Sequence, residues 1–275
     1  MFTSKSDKVT YSWYDGSEIH GHIQRMIPEV KKDIVVILVS PPGSSVLEQA
    51  RQTTAGDFAQ QWYECIWLIP PGKQAHIDAN DRWAFTFRTY TNYLTGIIEK
   101  LLEQWYTYQN MCISATSMAV PVVAKMIDET NYKWHLLFGA PISDLSQVFK
   151  IQQHVLGNVS EEQLLIWYAT HSWLTLDEQA MREIHKDERR HCGMSTVLVN
   201  LRQDMRLWVY GNTEDTYLSN THRHLLQWRT NEGNINLLTF DEFADDPFKH
   251  KFSPQTEKVL APNFTLSFLD KLKNR

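Results

Sequence analysis

One stretch of the chain, residues 111–124, constrains the fold more than any other. It reads Met-Cys-Ile-Ser-Ala-Thr-Ser-Met-Ala-Val-Pro-Val-Val-Ala, an apolar strand that becomes an apolar helix with no polar loop between them. Ser117 lies at the junction, and the small residues Ala115 and Ala119 lie two positions away on either side. Pro121 suits the first turn of a helix, where no backbone amide is needed as a donor. The pattern therefore predicts a tight strand-to-helix turn with a serine at its tip.

Two interpretations of this turn are open from these residues alone. The simpler one is a strand-to-helix connection built from small side chains. The other is a nucleophile elbow, in which a strained backbone presents the serine hydroxyl and larger flanking side chains would collide with neighbouring elements. The rest of the chain favours the second interpretation.

The order of the other elements predicts one α/β domain with a mostly parallel central sheet flanked by helices. A hairpin is predicted over residues 8–26, with Asp15-Gly16 as its turn. Further strands are predicted at residues 33–40, 63–69, 134–138, 205–210 and 235–240, and helices at 46–62, 89–106, 161–171, 176–191 and 219–230, before a closing amphipathic helix. Continuous apolar strands alternating with helices imply parallel pairing with right-handed crossovers.

This alternation breaks over residues 144–203, where no strand of comparable quality occurs. Two capping-box pairs open helices there, Ser160 with Gln163 and Thr175 with Glu178. The first helix has more apolar side chains than one packed face requires. We therefore expect residues 144–203 to form a helical lid or cap, inserted into a core made of residues 1–143 and 204–275.

Candidate catalytic groups follow the later strands. Asp215 comes after strand 205–210, and His250 comes after strand 235–240. A serine hydroxyl needs an adjacent base, and that base needs an orienting acid. Because such groups gather beyond the carboxyl ends of parallel strands, we expect Ser117, Asp215 and His250 to meet.

The order of serine, acid and histidine resembles that of the α/β-hydrolase superfamily, in which many elbows read Gly-x-Ser-x-Gly where this chain has Ala-Thr-Ser-Met-Ala. By that resemblance Ser117 is the nucleophile, Asp215 the acid and His250 the base. The resemblance also implies an α/β-hydrolase fold with a lid at residues 144–203. It extends over nearly the whole chain by element order, although its exact motifs are few.

Two other acids remain open for the same role. Glu214 is adjacent to Asp215, and Asp144 follows the preceding strand, a position from which some superfamily members supply the acid. Asp215 is preferred because its Gly-x-x-x-Asp spacing fits the superfamily's loop. Many members also have a glycine just before the histidine, where this chain has Lys249.

A tetrahedral oxyanion needs donors that are already in place, usually backbone N–H groups. The amide of Met118 follows the nucleophile at a helix N-terminus, where the helix dipole also helps. The resemblance implies a second donor in the loop after strand 33–40, which reads Pro41-Pro42-Gly43-Ser44-Ser45 in place of a His-Gly start. Since proline has no N–H, Ser44 is expected to be that donor, with Gly43 as the other choice. The alternative is that Pro-Pro-Gly is simply a rigid turn.

Composition and motifs argue against several other functions. A net charge of −5 gives no reason to expect nucleic acid. The densest basic run, residues 186–191, also holds two acids and is interpreted as a solvated helix face. The chain has no nucleotide-binding glycine fingerprint and no His/Cys cluster with metal-ligand spacing, so we expect neither cofactor nor metal.

The compartment is also inferred from the sequence. The first residues lack the apolar core of a secretory signal, and no apolar run is long enough to span a membrane. Two of the three cysteines, Cys65 and Cys112, lie in apolar strand-like runs and are expected to be inert buried thiols. We therefore expect a cytoplasmic protein.

These observations predict a serine hydrolase that cleaves an ester or thioester of an apolar acyl group, resembling a carboxylesterase or thioesterase. Apolar side chains of the insertion are expected to bind that group: Leu164, Trp167, Tyr168 and Trp173. Whether the acyl group arrives on a small alcohol, on coenzyme A or on a carrier protein stays open, as does the oligomeric state. The alternatives are an acyltransferase or cyclase using the same serine, and a catalytically silent binding module.

Overall fold

The computed structural model describes residues 1–12, 16–41, 54–68, 86–104, 106–130, 134–172, 178–230, 235–240, 248–250 and 261–273. The strands are β1 (Phe2–Ser12), β2 (Glu18–Pro28), β3 (Val35–Val39), β4 (Glu64–Leu68), β5 (Met111–Thr116), β6 (His135–Gly139), β7 (Leu207–Asn212) and β8 (Ile235–Phe240). The helices are α1 (described over 54–60), α2 (Phe87–Glu103), α3 (Val120–Glu129), α4 (Leu145–Val155), α5 (Glu161–Ser172), α6 (Glu178–Lys186), α7 (Met194–Asn200), α8 (Asn220–Arg229) and α9 (Ala261–Lys273).

The described strands form one sheet in the order β1-β2-β4-β3-β5-β6-β7-β8. Strand β2 pairs antiparallel with both β1 and β4, and every other pairing is parallel. The predicted N-terminal hairpin and the predicted parallel core are therefore confirmed. None of the helices in the described ranges combines the length and apolar character needed to cross a bilayer.

The central strands are buried because helices cover both faces of the sheet. All five residues of β3 are buried, and alternate residues point to opposite faces. Val35 and Ile37 belong to a core shared with α2 and α3, whereas Val36 and Leu38 belong to a second core shared with α1 and α9. This double coverage explains why the strand sequences are continuously apolar.

Helix α2 illustrates how local sequence sets an element boundary. The side chain of Thr86 accepts a hydrogen bond from the amide of Thr89 at 3.0 Å, so the helix begins two residues before the predicted start. Gly96 allows the close approach of α2 to β1, since a Cβ there would lie 2.7 Å from the carbonyl oxygen of Thr10. The helix is thereby fixed against the N-terminal hairpin.

The segment between β6 and β7 contains helices α4–α7 in its described part. The capping box at the start of α5 is confirmed, with bonds of 2.8 and 3.1 Å exchanged between Ser160 and Gln163. Thr175 lies outside the described residues. Helix α7, which the sequence pattern did not predict, packs its buried face in the same core as α3.

The helix predicted over residues 176–191 is shorter in the structure, and the interpretation of residues 186–191 as a solvated helix face was wrong. Helix α6 ends at Lys186, and Asp187 caps a short 3₁₀ turn. Arg189 is only 7% exposed and pairs with Asp187 at 3.0 Å and with Glu129 of α3 at 2.7 Å. These ion pairs hold the side chain of Arg189 inside the fold, because a buried guanidinium needs acidic partners, while Lys186 and His191 are exposed.

A second charged network lies where β2 pairs with β4. The buried carboxylate of Glu64 accepts hydrogen bonds from Arg25 Nε at 3.0 Å, from Lys31 Nζ at 3.0 Å and from the Tyr106 hydroxyl. Arg25 also reaches Asp7 Oδ2 at 3.2 Å. Burial alone raises the pKa of Glu64, but the hydrogen bonds from Tyr106, Arg25 and Lys31 outweigh it and bring that pKa below its usual range.

Candidate active site

The site begins at the turn between β5 and α3. Ser117 follows the last residue of β5 and has a φ of +51°, in the left-handed region that ordinary residues avoid at a cost of about 1–2 kcal/mol. Residues Ser117–Ala119 form a 3₁₀ turn that leads directly into α3, with Pro121 in its first turn. Ala115 and Ala119 are completely buried, so larger side chains there have no room. The tight, strained turn predicted from residues 111–124 is confirmed.

A hydrogen-bonded chain connects this serine to a histidine and an acid. Ser117 Oγ lies 2.7 Å from His250 Nε2, and His250 Nδ1 lies 2.8 Å from Asp215 Oδ2. The three residues follow β5, β7 and β8, whose carboxyl ends meet at one edge of the sheet. Asp215 is 2% exposed, while Ser117 is partly exposed. The structure thus brings together the three residues selected from the sequence, in the geometry that nucleophilic catalysis by serine requires.

The two alternative acids are placed elsewhere. Asp144 is the N-cap of α4, where its Oδ1 accepts hydrogen bonds from the amide of Gln147 and the hydroxyl of Ser146, both at 2.7 Å. Glu214 is exposed to solvent. Asp215 is therefore the acid that contacts His250.

Asp215 is held at both of its carboxylate oxygens. Oδ2 meets His250, while Oδ1 accepts a hydrogen bond from the amide of Tyr217 at 2.8 Å. Arg223, on α8, donates to the carbonyl oxygens of Asp215 at 2.7 Å and Leu218 at 3.2 Å. The loop after β7 is thus tied to a helix as well as to the histidine, which fixes the direction of the carboxylate.

Comparison with known proteins places this geometry in a known fold. No family model and no curated protein sequence matches the chain. Among solved structures, a thermostable carboxyl esterase from Bacillus coagulans matches with a TM-score of 0.66 at 9% identity, over 98% of this chain and 100% of that chain. An esterase from Pyrococcus furiosus matches with a TM-score of 0.64 at 13% identity, over 100% of this chain and 91% of that chain.

An acylaminoacyl peptidase from Pyrococcus horikoshii matches with a TM-score of 0.61 at 12% identity, over 98% of this chain. The match spans 42% of that longer chain. The chain has the α/β-hydrolase fold. At these identities the likeness defines the fold, and the chemistry has to be argued from the side chains.

The residue before the histidine shows how this chain fits that fold without the glycine that many α/β-hydrolases have there. Lys249 has a φ of +53°, a conformation that favours glycine. Its carbonyl oxygen accepts a hydrogen bond from Asn212 Nδ2 at 2.7 Å. Phe248, one residue earlier, accepts from the amide and the hydroxyl of Thr216 at 3.0 and 2.9 Å. The acid loop therefore holds the histidine segment in place, although a lysine occupies the strained position.

Other histidines of the chain have different surroundings. His222 Nδ1 lies 2.8 Å from Ser143 Oγ and 3.1 Å from Ser219 Oγ. Burial lowers the pKa of His222, although Asp144 opposes the shift. His224 is exposed, and His76 lies outside the described residues.

Of the predicted oxyanion donors, one can be located. Met118 lies directly after Ser117, in the 3₁₀ turn that opens α3. Gly43 and Ser44 lie outside the described residues. The described start of their loop, Ser40 and Pro41, is buried at the end of β3, which pairs with β5 up to Ala115. The donor roles of Met118, Ser44 and Gly43 stay predictions.

The predicted acyl-binding residues of the insertion are placed differently from one another. Leu164 is completely buried in the core, so in this conformation it offers no surface to a substrate. Trp167, on the same helix, is 40% exposed, and its neighbour Ile166 is exposed as well. The side chain of Tyr168 and the whole of Trp173 lie outside the described part.

Within the described residues, no group of three or more His, Cys, Asp or Glu side chains is arranged to hold a metal ion.

Proposed function

We propose that the protein is a serine hydrolase that cleaves an ester or thioester of an apolar acyl group through an acyl-serine intermediate. The observation that carries this proposal is the continuous hydrogen-bonded chain from Ser117 through His250 to Asp215. Solved proteins of similar structure include esterases and an acylaminoacyl peptidase, which supports hydrolysis of a carboxylic acid derivative.

In the proposed reaction, His250 Nδ1–H donates to Asp215, which leaves Nε2 as the acceptor facing Ser117 Oγ. As Oγ attacks the acyl carbonyl carbon, Nε2 takes its proton and the carbonyl oxygen becomes an oxyanion. The proposed donor that stabilises that charge is the Met118 amide, at the start of a helix. The imidazolium then protonates the leaving alkoxide or thiolate, and water hydrolyses the acyl-serine by the same route in reverse.

The finer parts of the proposal have separate support. An apolar acyl group is favoured by the exposed Trp167 and Ile166 on α5, within the insertion proposed as a lid. The proposed cytoplasmic setting agrees with Cys65, Cys112 and Cys192, which are buried and form no disulfide within the described part of the chain. Coenzyme A, a carrier protein and a small alcohol all stay open as the group that carries the acyl chain.

The test is covalent labelling with a fluorophosphonate probe, combined with turnover of p-nitrophenyl acyl esters. The wild-type protein should be labelled at Ser117, and the Ser117→Ala variant should lose labelling and at least about 10³-fold in turnover while staying folded. Ser114→Ala is the matched control, because Ser114 is a buried hydroxyl on β5, the strand that leads to Ser117. Turnover by Ser117→Ala at the wild-type rate would rule out this nucleophile.

The base and the acid are tested in the same assays. His250→Ala should abolish labelling, whereas His224→Ala, on the exposed face of α8, should leave it unchanged. Asp215→Asn should lower the rate by about 10³–10⁴-fold because the imidazole loses its orienting acceptor. A folded wild-type protein that no probe labels at any pH would indicate a silent binding module. Labelling accompanied by acyl transfer to an added nucleophile, without hydrolysis, would indicate an acyltransferase.

A further inference from the structure

Tyr217 touches two of the three residues in the hydrogen-bonded chain. It lies two positions after Asp215 and is buried. Its amide donates to Asp215 Oδ1 at 2.8 Å, and its ring packs on the imidazole of His250 with centroids 4.7 Å apart. The ring also stacks on Phe248, with centroids 5.0 Å apart. One residue therefore contacts the acid through its backbone and the histidine through its side chain.

The hydroxyl of Tyr217 is held by the predicted lid insertion. Gln152, on α4, donates from Nε2 to the Tyr217 hydroxyl oxygen at 2.7 Å. The tyrosine carbonyl oxygen accepts a hydrogen bond from the amide of Ser143, just before α4, at 2.9 Å. Gln152 of the insertion thus holds the side chain of Tyr217, and Ser143, the last residue before the insertion, holds its backbone.

These contacts bear on how the imidazole is aligned. A hydrogen bond from Nδ1 to Asp215 fixes one point of the ring but leaves rotation about that bond possible. An aromatic ring packed at 4.7 Å blocks such rotation on one face, and tilted aromatic pairs of this kind add stabilisation beyond simple burial. The hydrogen bond from Gln152 holds the far end of the tyrosine ring, and packing against Phe248 and His250 restricts the plane of that ring.

We propose that Tyr217 is a positioning residue that keeps His250 Nε2 directed at Ser117, and that Gln152 couples this alignment to helix α4. The inference rests on the proposed function. Its consequence is that a movement of α4, for example when substrate enters beneath the insertion, changes the alignment of the base. The insertion then affects the chemical step as well as the choice of substrate.

The experiment separates the ring from its anchor. Tyr217→Leu removes the ring that packs on His250, and we expect kcat to fall about 10–100-fold with KM within about twofold, as for a misaligned catalytic group. Tyr217→Phe and Gln152→Leu each remove the anchor alone, and each should lower kcat by about three- to tenfold. The double variant that combines Tyr217→Phe with Gln152→Leu should be no slower than either of these two single variants, because both substitutions remove the same contact.

Gln153→Leu is the matched control, since Gln153 lies next to Gln152 on α4 but donates to the carbonyl oxygen of Val159. It should turn over substrate at the wild-type rate. Multiplicative losses in the double variant, or a Gln152→Leu variant as fast as the control, would refute the coupling to α4. A wild-type kcat in Tyr217→Leu would refute the positioning role.

A spectroscopic measurement decides the inference independently of turnover. The Nδ1–H of His250 should give a downfield proton NMR signal that disappears in His250→Ala, and that signal should broaden through faster solvent exchange in Tyr217→Leu. A signal that is unchanged in Tyr217→Leu overturns the inference. If the wild-type protein is not labelled at Ser117, the proposed function fails, while this signal still reports whether Tyr217 orders the histidine.

Discussion

Replacing Glu64 by glutamine tests how far the buried charges in this fold are structural. Glutamine keeps the shape of the side chain but removes the charge that faces Arg25 and Lys31. Glu64 is 1% exposed, so water cannot take over its contacts. The amide also brings an N–H₂ donor towards Arg25 and Lys31, which can only donate. Asp7 stays within 3.2 Å of Arg25 as a second carboxylate.

The magnitude follows from these contacts. Removing one partner of a buried ion pair typically costs about 3–5 kcal/mol, because the other charge is left buried without compensation. Since Asp7 keeps part of that compensation, we expect the free energy of unfolding to fall by about 2–3 kcal/mol at pH 7. The matched control is Glu178→Gln, which breaks an exposed i,i+4 pair with Arg182 and should have no resolvable effect.

The same substitution has a pH signature. Because the pKa of folded Glu64 lies below its usual value of 4.5, the unfolded chain binds this proton first as the pH falls. The stabilisation is therefore present above pH 4.5 and is lost as the pH falls through the folded pKa. Urea unfolding of wild type and Glu64→Gln at several pH values should show curves that converge in acid.

A difference below about 1 kcal/mol at pH 7, or one that does not shrink in acid, would refute this account of the network. Turnover per folded molecule should be unchanged. The reason is that Glu64 lies at the opposite end of the strands from Ser117. Glu64 pairs in register with Val35 of β3, and Val35 pairs with Met111 at the start of β5, whereas Ser117 follows the other end of β5.

Two further predictions concern the site. Lys249→Gly should keep kcat and raise the free energy of unfolding by up to about 1 kcal/mol. The reason is that removing the strain of a lysine in the left-handed region stabilises the folded state by more than the extra conformational entropy of glycine stabilises the unfolded chain. Chemical denaturation checks this prediction, and a loss of stability would show that Lys249 is not strained. Trp167→Ala should shift the preference for acyl chain length, measured as kcat/KM over a series of p-nitrophenyl esters, by about 1–3 kcal/mol per methylene. Val199→Ala, at another exposed apolar position of the insertion, on α7, should leave that profile unchanged, and an unaltered profile in Trp167→Ala would exclude Trp167 from acyl binding.

Much of the fold was predictable because the strands are apolar along their whole length. A strand such as β3 must be covered on both faces, and coverage by helices leaves few arrangements other than parallel strands with crossovers. The tight turn at Ser117 was also predictable, since Ala115 and Ala119 are small enough for a strand to continue directly into a helix around the serine. The order of Ser117, Asp215 and His250 along the chain then selected the other two residues.

What could not be predicted depends on contacts between distant parts of the chain. The basic run that contains Arg189 predicts a solvated side chain. In the fold that side chain is buried and pairs with Glu129 on α3. Leu164 follows the same helical spacing whether it faces a substrate or the core. A tyrosine two positions after an acid carries no sequence signal of its own, so the contacts of Tyr217 with α4 and with the histidine segment could not be predicted.

The separation of the site residues along the chain has a consequence for when activity appears. Ser117 and His250 lie 133 positions apart, so a chain being synthesised contains the nucleophile long before its base. The two meet only after β6, β7 and β8 have added to β5, and such non-local parallel pairings form slowly. A growing or half-folded chain therefore carries a serine with no partner to activate it. Reactivity towards acyl compounds should be the last property to emerge during refolding, later than the secondary structure that surrounds it.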